Sequence, residues 1–241
     1  LFQSKDSSRG LLNVQPSLCT SGSVTIPPAN ANSGTITFSQ CEIGGSGLYL
    51  NGSVGFSATQ SSSGFNINVT YNNFTIADMT QTLASLNGTL SMSISSDANV
   101  WTSTVSTSGF SVTIDGETIS IENYSMTSSF DFDANEDSVS FNYAVTSDLL
   151  GGTLLVTTDP AEGGSPLVKS AGDAFPYTGT IIIIGADNNR IRITINGGMA
   201  TDSVVVEYAL DGDEVYDDGT ESISWSAFEL LSQYSLSPGQ I

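Results

Sequence analysis

The stretch Thr178–Asn196, TGTIIIIGADNNRIRITIN, constrains this chain most. Ile181, Ile182, Ile183 and Ile184 follow one another, and a strand sends successive side chains to opposite faces, so the segment is apolar on both. Such a strand needs cover on both sides. In the return segment Arg190 and Arg192 alternate with Ile191, Ile193 and Ile195, which gives one wet and one dry face. The sequence therefore predicts a β-hairpin at the centre of a sheet that the rest of the chain covers. It assigns Ile181, Ile182, Ile183 and Ile184 to packing or to contact between subunits.

Upstream, residues 19–158 repeat one theme: a glycine, then Ser or Thr, then alternating apolar residues. It occurs at Gly22-Ser23, Gly34-Thr35, Gly52-Ser53, Gly88-Thr89 and Gly152-Thr153, and returns at Gly179-Thr180. Leu50-Asn51-Gly52-Ser53-Val54 and Leu86-Asn87-Gly88-Thr89-Leu90 are closer copies, each followed by a long alternating segment with Asn-aromatic at Asn73-Phe74 or Asn123-Tyr124. Glycine suits the tight turn that feeds a strand. The pattern predicts an antiparallel meander with an internal duplication. Asp115-Gly116 is a two-residue hairpin turn between Phe110–Ile114 and Thr118–Ile121, and Asp133–Asp137 turns between Phe130–Phe132 and Val139–Val145. Asn51, Asn68, Asn73, Asn87 and Asn123 also open N-x-Ser/Thr triplets, which carry meaning only in a eukaryotic source.

The fold class expected is all-β: an antiparallel meander, sandwich or open barrel with long strands, arranged as one or two sheets or subdomains. Residues 159–176, with three prolines and three glycines, read as a linker between the meander and a C-terminal hairpin region, 177–231. Residues 1–18 read as an N-terminal arm, either frayed or docked on another subunit, and 232–241 as a tail. Trp225, Phe228, Leu230 and Leu231 mark a short helix or final strand. The start at Leu1 rather than Met reads as a processed or trimmed form.

Cys19 and Cys41 bracket two short strands, Gly22–Ile26 and Gly34–Phe38, around a turn-like PPANANS segment. Pairing those strands sets the cysteines opposite each other, so a disulfide and an oxidising compartment are expected. The alternative is two buried free thiols.

Charge excludes several functions. The chain has 25 acidic residues, 5 basic ones and no His, for a net charge of −20. From Gly10 to Val168 there is no Lys or Arg. Nucleic-acid binding needs cations that displace counterions from phosphate, so it is excluded, and an anionic membrane surface is disfavoured on the same ground. No run approaches a transmembrane helix in length. Without His there is no Ser-His-Asp triad and no His-ligated zinc. Cationic partners, multivalent cations, glycans and a second copy of the chain remain.

Glu207, Asp211, Asp213, Glu214, Asp217, Asp218 and Glu221 form an acidic loop with no basic residue inside it. Crowded carboxylates repel one another unless a cation intervenes, and Ca²⁺ takes many oxygen ligands. Asp211, Asp213, Asp217 and Asp218 are the candidate calcium ligands, although Val215 and Tyr216 stand where an EF-hand has a ligand and a glycine. Asp131, Asp133, Glu136 and Asp137 form a smaller acidic turn. Tyr49, Trp101, Tyr124, Tyr177, Tyr208, Tyr216 and Trp225 are candidate glycan platforms, set against ordinary service as strand and core residues.

The runs YTGTIIIIGADNNRIRI, VVVEYALDGDEVYDD and SWSAFELL together resemble the C-terminal end of a loosely defined group of secreted or lipoprotein-type β-proteins of Gram-negative bacteria. That group carries a "tGtitvtGa" strand, a "DxDGDG" turn and a closing "W-x-x-L". The turn here, Asp211-Gly212-Asp213-Glu214, departs from the fuller form. The resemblance implies an all-β fold and a secreted, cell-surface location rather than an activity. The expectation is a non-enzymatic surface protein, structural or adhesive, that self-associates or binds another surface protein as a subunit of an extracellular assembly or fibre. The alternatives are a monomeric, calcium-stabilised module that binds a glycan or protein, and a carboxylate-dependent polysaccharide hydrolase or lyase.

Overall fold

The computed structural model describes residues 18–28, 30–114, 116–173, 175–196 and 203–224. The expected N-terminal arm, the tail and the segment around Trp225 lie outside these residues. The described strands are β1 (Ser23–Thr25), β2 (Ser33–Glu42), β3 (Tyr49–Gln60), β4 (Gly64–Ala77), β5 (Thr82–Ser96), β6 (Val100–Ile114) and β7 (Glu117–Asp131). They continue with β8 (Glu136–Ser147), β9 (Gly152–Thr157), β10 (Ser165–Ser170), β11 (Thr178–Ile184), β12 (Arg190–Asn196), β13 (Ser203–Ala209) and β14 (Gly219–Ser224). All belong to one antiparallel sheet in meander order, not to two sheets.

The 159–176 stretch differs from its reading as a linker. β9 and β10 run in the same direction beside β8 and beside β11, one after the other, so they act as a single strand interrupted by residues 158–164. Thr158 holds the break: its N–H donates to Phe141 O at 2.8 Å, and its Oγ1 accepts from Phe141 N at 2.9 Å. Pro160–Glu162 then makes a 3₁₀ turn capped by Asp159, whose Oδ1 accepts from Ala161 N. The prolines and glycines punctuate this excursion without ending the sheet. Tyr177 further ties the 171–177 connection back by donating to Glu136.

Glycine does more here than feed turns. Gly52 and Gly88 lie inside β3 and β5, not at their ends. Each faces a bulge on the following strand. A Cβ on Gly52 would stand 2.0 Å from Asn73 O, and one on Gly88 would stand 2.3 Å from Gly109 O. The asparagine before each glycine serves the preceding strand instead. Asn51 Oδ1 accepts from Gln40 N at 2.8 Å, and Asn87 Oδ1 accepts from Asn73 N at 2.7 Å. Gln40, Asn73 and Asn123 take left-handed φ values of 49°, 45° and 51° at these bulges. Register shifts between Phe38/Cys41, Asn51/Ser53, Tyr71/Phe74, Gly88/Ser91 and Glu122/Ser125 lie at one level, so a line of bulges crosses the sheet from β2 to β7. Bulges and glycine kinks of this kind bend strands and strengthen local twist. Aromatic rings close over the gaps left by the glycines: Phe38 meets Phe74 at 5.6 Å across Gly52, and Tyr71 meets Phe110 at 5.7 Å across Gly88.

The hairpin expected at 178–196 is present as β11 and β12, with Ile181 opposite Ile193 and Ile183 opposite Ile191. It lies toward the C-terminal side of the sheet, not at its centre. It does hold the densest packing. Ile182, Ile193, Ile195, Val204, Val206 and Ala209 are buried, and Ile181, Ile183, Ile191, Tyr208 and Ile223 pack on that cluster. β6 and β7 meet at Ile114 and Glu117 as the Asp115-Gly116 reading requires. The next turn is shorter than expected: Asp131 pairs with Glu136, which puts Phe132 in the turn and exposed.

Cys19 and Cys41 are disulfide-bonded, with Cα atoms 4.9 Å apart. Val24 pairs with Phe38 in the flanking β1–β2 ladder. Past β1, the Pro27 ring lies against Gly34 of β2.

Two predictions follow from this framework. The Cys19→Ser/Cys41→Ser variant should lose about 3 kcal/mol in urea unfolding, the loop-closure value for a separation of 22 residues. An alkylated mass that is the same with and without prior reduction of the wild type would refute the bond itself. Gly52→Ala, at φ +92° and against the Asn73 backbone, should cost roughly 1–3 kcal/mol in the same assay. Gly44→Ala, also at positive φ but with open space around it, should cost less.

Candidate functional site

The sheet from β2 to β8 has two chemically distinct faces. Registered rows on one face read Ile36, Val54, Tyr71, Gly88, Phe110, Ile121, Val145, and Ala58, Ile67, Met92, Val105, Met126, Phe141. The matching rows on the other read Ser57, Asn68, Ser91, Ser106, Ser125, Asn142, and Thr59, Asn66, Ser93, Thr104, Thr127, Ser140. Alternation at period two writes both faces at once.

The apolar face is half-exposed throughout. Among the described residues, no apolar side chain of β3–β8 is buried, and Phe65, Met92 and Trp101 are openly exposed. The only charged residues on it, Glu117, Asp137 and Lys169, sit at strand ends. Lys169 pairs with Asp137 at 3.8 Å. Glu117 is drawn into the turn at the end of β8, where Ser147 donates to it at 2.6 Å and holds its pKa below the usual value.

The polar face is knitted by short side chains. Ser91 donates to Asn68 at 2.6 Å, and Thr70–Thr89, Thr104–Thr127 and Thr146–Thr153 pair across strands at 3.0, 3.3 and 2.7 Å. A shallow depression there is lined by Thr59, Asn66, Asn68, Ser91, Ser93 and Thr104. The glycosylation-like triplets at Asn51 and Asn87 have a structural use, since both amides hold bulges.

The acidic loop, 210–218, connects β13 to β14. Asp211 accepts from Asp213 N at 3.2 Å, Asp213 accepts from Val215 N at 2.8 Å, and Asp218 accepts from Leu210 N. Among the described residues no three carboxylates converge in a way that could hold a metal ion. The charge that stands uncompensated along the sequence is met in part across the sheet. Arg192 lies opposite Glu207 and donates to both of its oxygens, at 2.7 and 2.9 Å. Arg190 reaches Glu214 at 2.9 Å and Glu162 at 3.3 Å, which ties the acidic loop to the 3₁₀ turn between β9 and β10. Tyr216 lies 4.1 Å from the Arg192 guanidinium, a cation–π contact.

The remaining candidate platforms are mostly engaged. Tyr124 packs on Tyr143, Tyr177 bonds Glu136, and Tyr208 belongs to the core cluster. Among the described ones, Trp101 alone is openly exposed. Ile181, Ile182, Ile183 and Ile184 all pair with β12, and Ile182, Ile183 and Ile184 pair also with β9, so the backbone of those three offers no edge to another subunit. Sequence reasoning missed the continuous apolar face of β2–β8, although the alternation that writes it is present residue by residue.

Comparison with protein-family models, with curated proteins and with solved structures gives no match. The site therefore rests on this chain's own residues.

The Glu207 carboxyl is held below its usual value, first by the Arg192 hydrogen bonds. Its stabilising contribution is full above the ordinary glutamate value and is lost as pH falls through the lowered one. Glu207→Gln should therefore cost about 0.5–1 kcal/mol at pH 7 in low salt, discounted for solvent screening. The gap to wild type in urea unfolding should close toward pH 3 and narrow in high salt.

Proposed function

We propose that this chain is a non-enzymatic structural or adhesive protein, secreted to the surface of a Gram-negative bacterium, where it serves as a subunit of an extracellular assembly. One observation carries the reading: the half-exposed apolar face of β2–β8, whose charges sit only at strand ends. An antiparallel sheet with one dry face is stable when that face is packed against a second layer. Seven strands spaced ~4.8 Å apart and ~40 Å long offer on the order of 1,000 Å² per copy, above the ~800 Å² per partner of a standard interface. Its chemistry suits face-to-face packing of subunits. The disulfide favours an oxidising compartment, and the resemblance across 177–231 favours the cell surface.

The second reading, a monomeric module that binds a glycan, has one observation in its favour: the hydroxyl- and amide-lined depression on the opposite face. Calcium at Asp211, Asp213, Asp217 and Asp218 belongs with that reading.

Sedimentation velocity on the full chain, in calcium and in EDTA, separates the two. The assembly reading expects species well above 25.1 kDa in both buffers, and Met92→Asp, placed on the apolar face, should shift them toward monomer. A single monomer boundary for the wild type in both buffers would end it.

A further inference from the structure

The two registered rows of the polar face cross the strands side by side from β3 to β8, one ending on Asn142 and the other on Ser140. Neither row holds a charged residue, although the chain has 25 acidic ones. Both rows run into the strand break. Asn142 pairs with Thr157 at the end of β9, whereas Ser140 falls between the β8–β9 and β8–β10 ladders and has no strand partner on that side. The 3₁₀ turn Pro160–Glu162 stands at this gap. Pro166 alternates with Leu167, which pairs with Val139 on the apolar face, so Pro166 returns to the polar face just beyond the gap.

Ser125, Ser140 and Asn142 form the floor of a cavity of about 290 Å³ at the break, with Asp159, Pro160 and Pro166 beside them. Among the described residues no hydrogen bond engages the side chains of Ser125, Ser140 or Asn142, so their donors and acceptors are open. Asp159 commits Oδ1 to Ala161 N and keeps Oδ2 for an incoming donor. At the other end of the same rows lies the depression lined by Asn66 and Ser93, whose side chains are open in the same way. Two separate sets of open polar groups therefore sit on one line across the sheet, ~24 Å from β3 to β8 at the ordinary strand spacing.

We infer that these rows are a trough for a neutral, extended, linear glycan whose terminal sugar seats in the cavity at the strand break. A sugar ring has apolar C–H faces and a belt of hydroxyls. The cavity offers both matching surfaces: proline rings for the faces, and for the hydroxyls Ser125, Ser140, Asn142 and the Asp159 carboxylate, which accepts from O–H groups. Strands follow one another at ~4.8 Å, close to the length of one hexose in an extended chain, so successive sugars meet successive strands. The turn at Pro160 closes one end of the trough, which favours a chain end there. Charge decides between classes of glycan. There is no Lys or Arg from Gly10 to Val168, and Asp159 with a net charge of −20 repels uronic and sulfated sugars. The inference rests on the glycan reading of this face and adds the terminal subsite. It leaves the apolar face free, so it holds for a monomer or an assembled subunit.

The test is isothermal titration calorimetry of the full chain with three linear neutral hexasaccharides: cellohexaose, mannohexaose and chitohexaose. At least one should bind, and the anionic hexagalacturonate should not. Ser140→Ala/Asn142→Ala should weaken the bound hexasaccharide at least tenfold with an unchanged melting temperature. Asn66→Ala/Ser93→Ala, at the far end of the rows, should weaken it by a smaller factor. Thr37→Ala, on the same face but outside the rows, should bind like wild type. Binding of none of the three would overturn the inference, as would undiminished binding by Ser140→Ala/Asn142→Ala or equal binding of hexagalacturonate. Loss confined to Asn66→Ala/Ser93→Ala would keep a glycan site at the depression and still overturn the terminal subsite. Sedimentation of Ser140→Ala/Asn142→Ala should match wild type, which keeps the result apart from assembly.

Discussion

The structure depends on keeping one residue alternation in phase across long strands. In a strand an odd insertion moves every later side chain to the opposite face. β4 makes such an insertion: Val69 and Tyr71 lie on the apolar face before Asn73, and Phe74 and Ile76 after it. β7 does the same at Asn123, passing from Ile119 and Ile121 to Tyr124 and Met126. β2 and β6 switch as well, between Phe38 and Cys41 and between Thr107 and Phe110. β3, β5 and β8 keep one parity throughout. The faces stay coherent only because the switches fall at one level, where each bulge is opposed by a glycine or by a second bulge. The Asn-Gly pairs in β3 and β5 act at this level, with the asparagine holding the bulge before and the glycine clearing space for the one after.

The distribution of burial follows from that arrangement. Across β3–β8 a single layer leaves its large residues half-covered, and order comes from ladders, cross-strand threonine pairs and rings that close over glycines. At β11–β13, where the isoleucine run of β11 is apolar on both faces, Ile182, Ile193, Ile195, Val204, Val206 and Ala209 are enclosed. Arg190 and Arg192, two of the few cations in the chain, are spent on this end, where they gather Glu162, Glu207 and Glu214. The remaining excess of negative charge is spread over turns and keeps the outer surfaces polar.

Much of this was legible in the residues and some was not. Alternation gave the all-β class, the meander and most turns, and the cysteine positions gave the disulfide. The four consecutive isoleucines marked the tightest packing, though not its place in the sheet. The 159–176 stretch misled because proline and glycine mark any departure from a ladder, and a strand that breaks and resumes uses the same residues as a linker. The glycines of the Leu-Asn-Gly copies misled in the same way, since a glycine that admits a neighbouring bulge looks like one that starts a turn. The partners of the acidic loop were hidden because Arg192 and Glu207 meet through strand pairing, fifteen positions apart in sequence.

The alignment of the bulges also governs how such a chain can change in length. β2 with β3, and β4 with β5, each form a unit of one switching strand followed by one straight strand that carries an Asn-Gly pair. The asparagine reads backward within its own unit and the glycine reads forward into the next. A whole hairpin can therefore be copied or deleted with every bulge still finding its asparagine and its gap. Loss of one strand would leave a glycine facing no bulge and reverse the chain's path at the next turn. The repeat visible in the sequence has the hairpin as its unit, the smallest segment that this sheet can gain without exchanging its two faces.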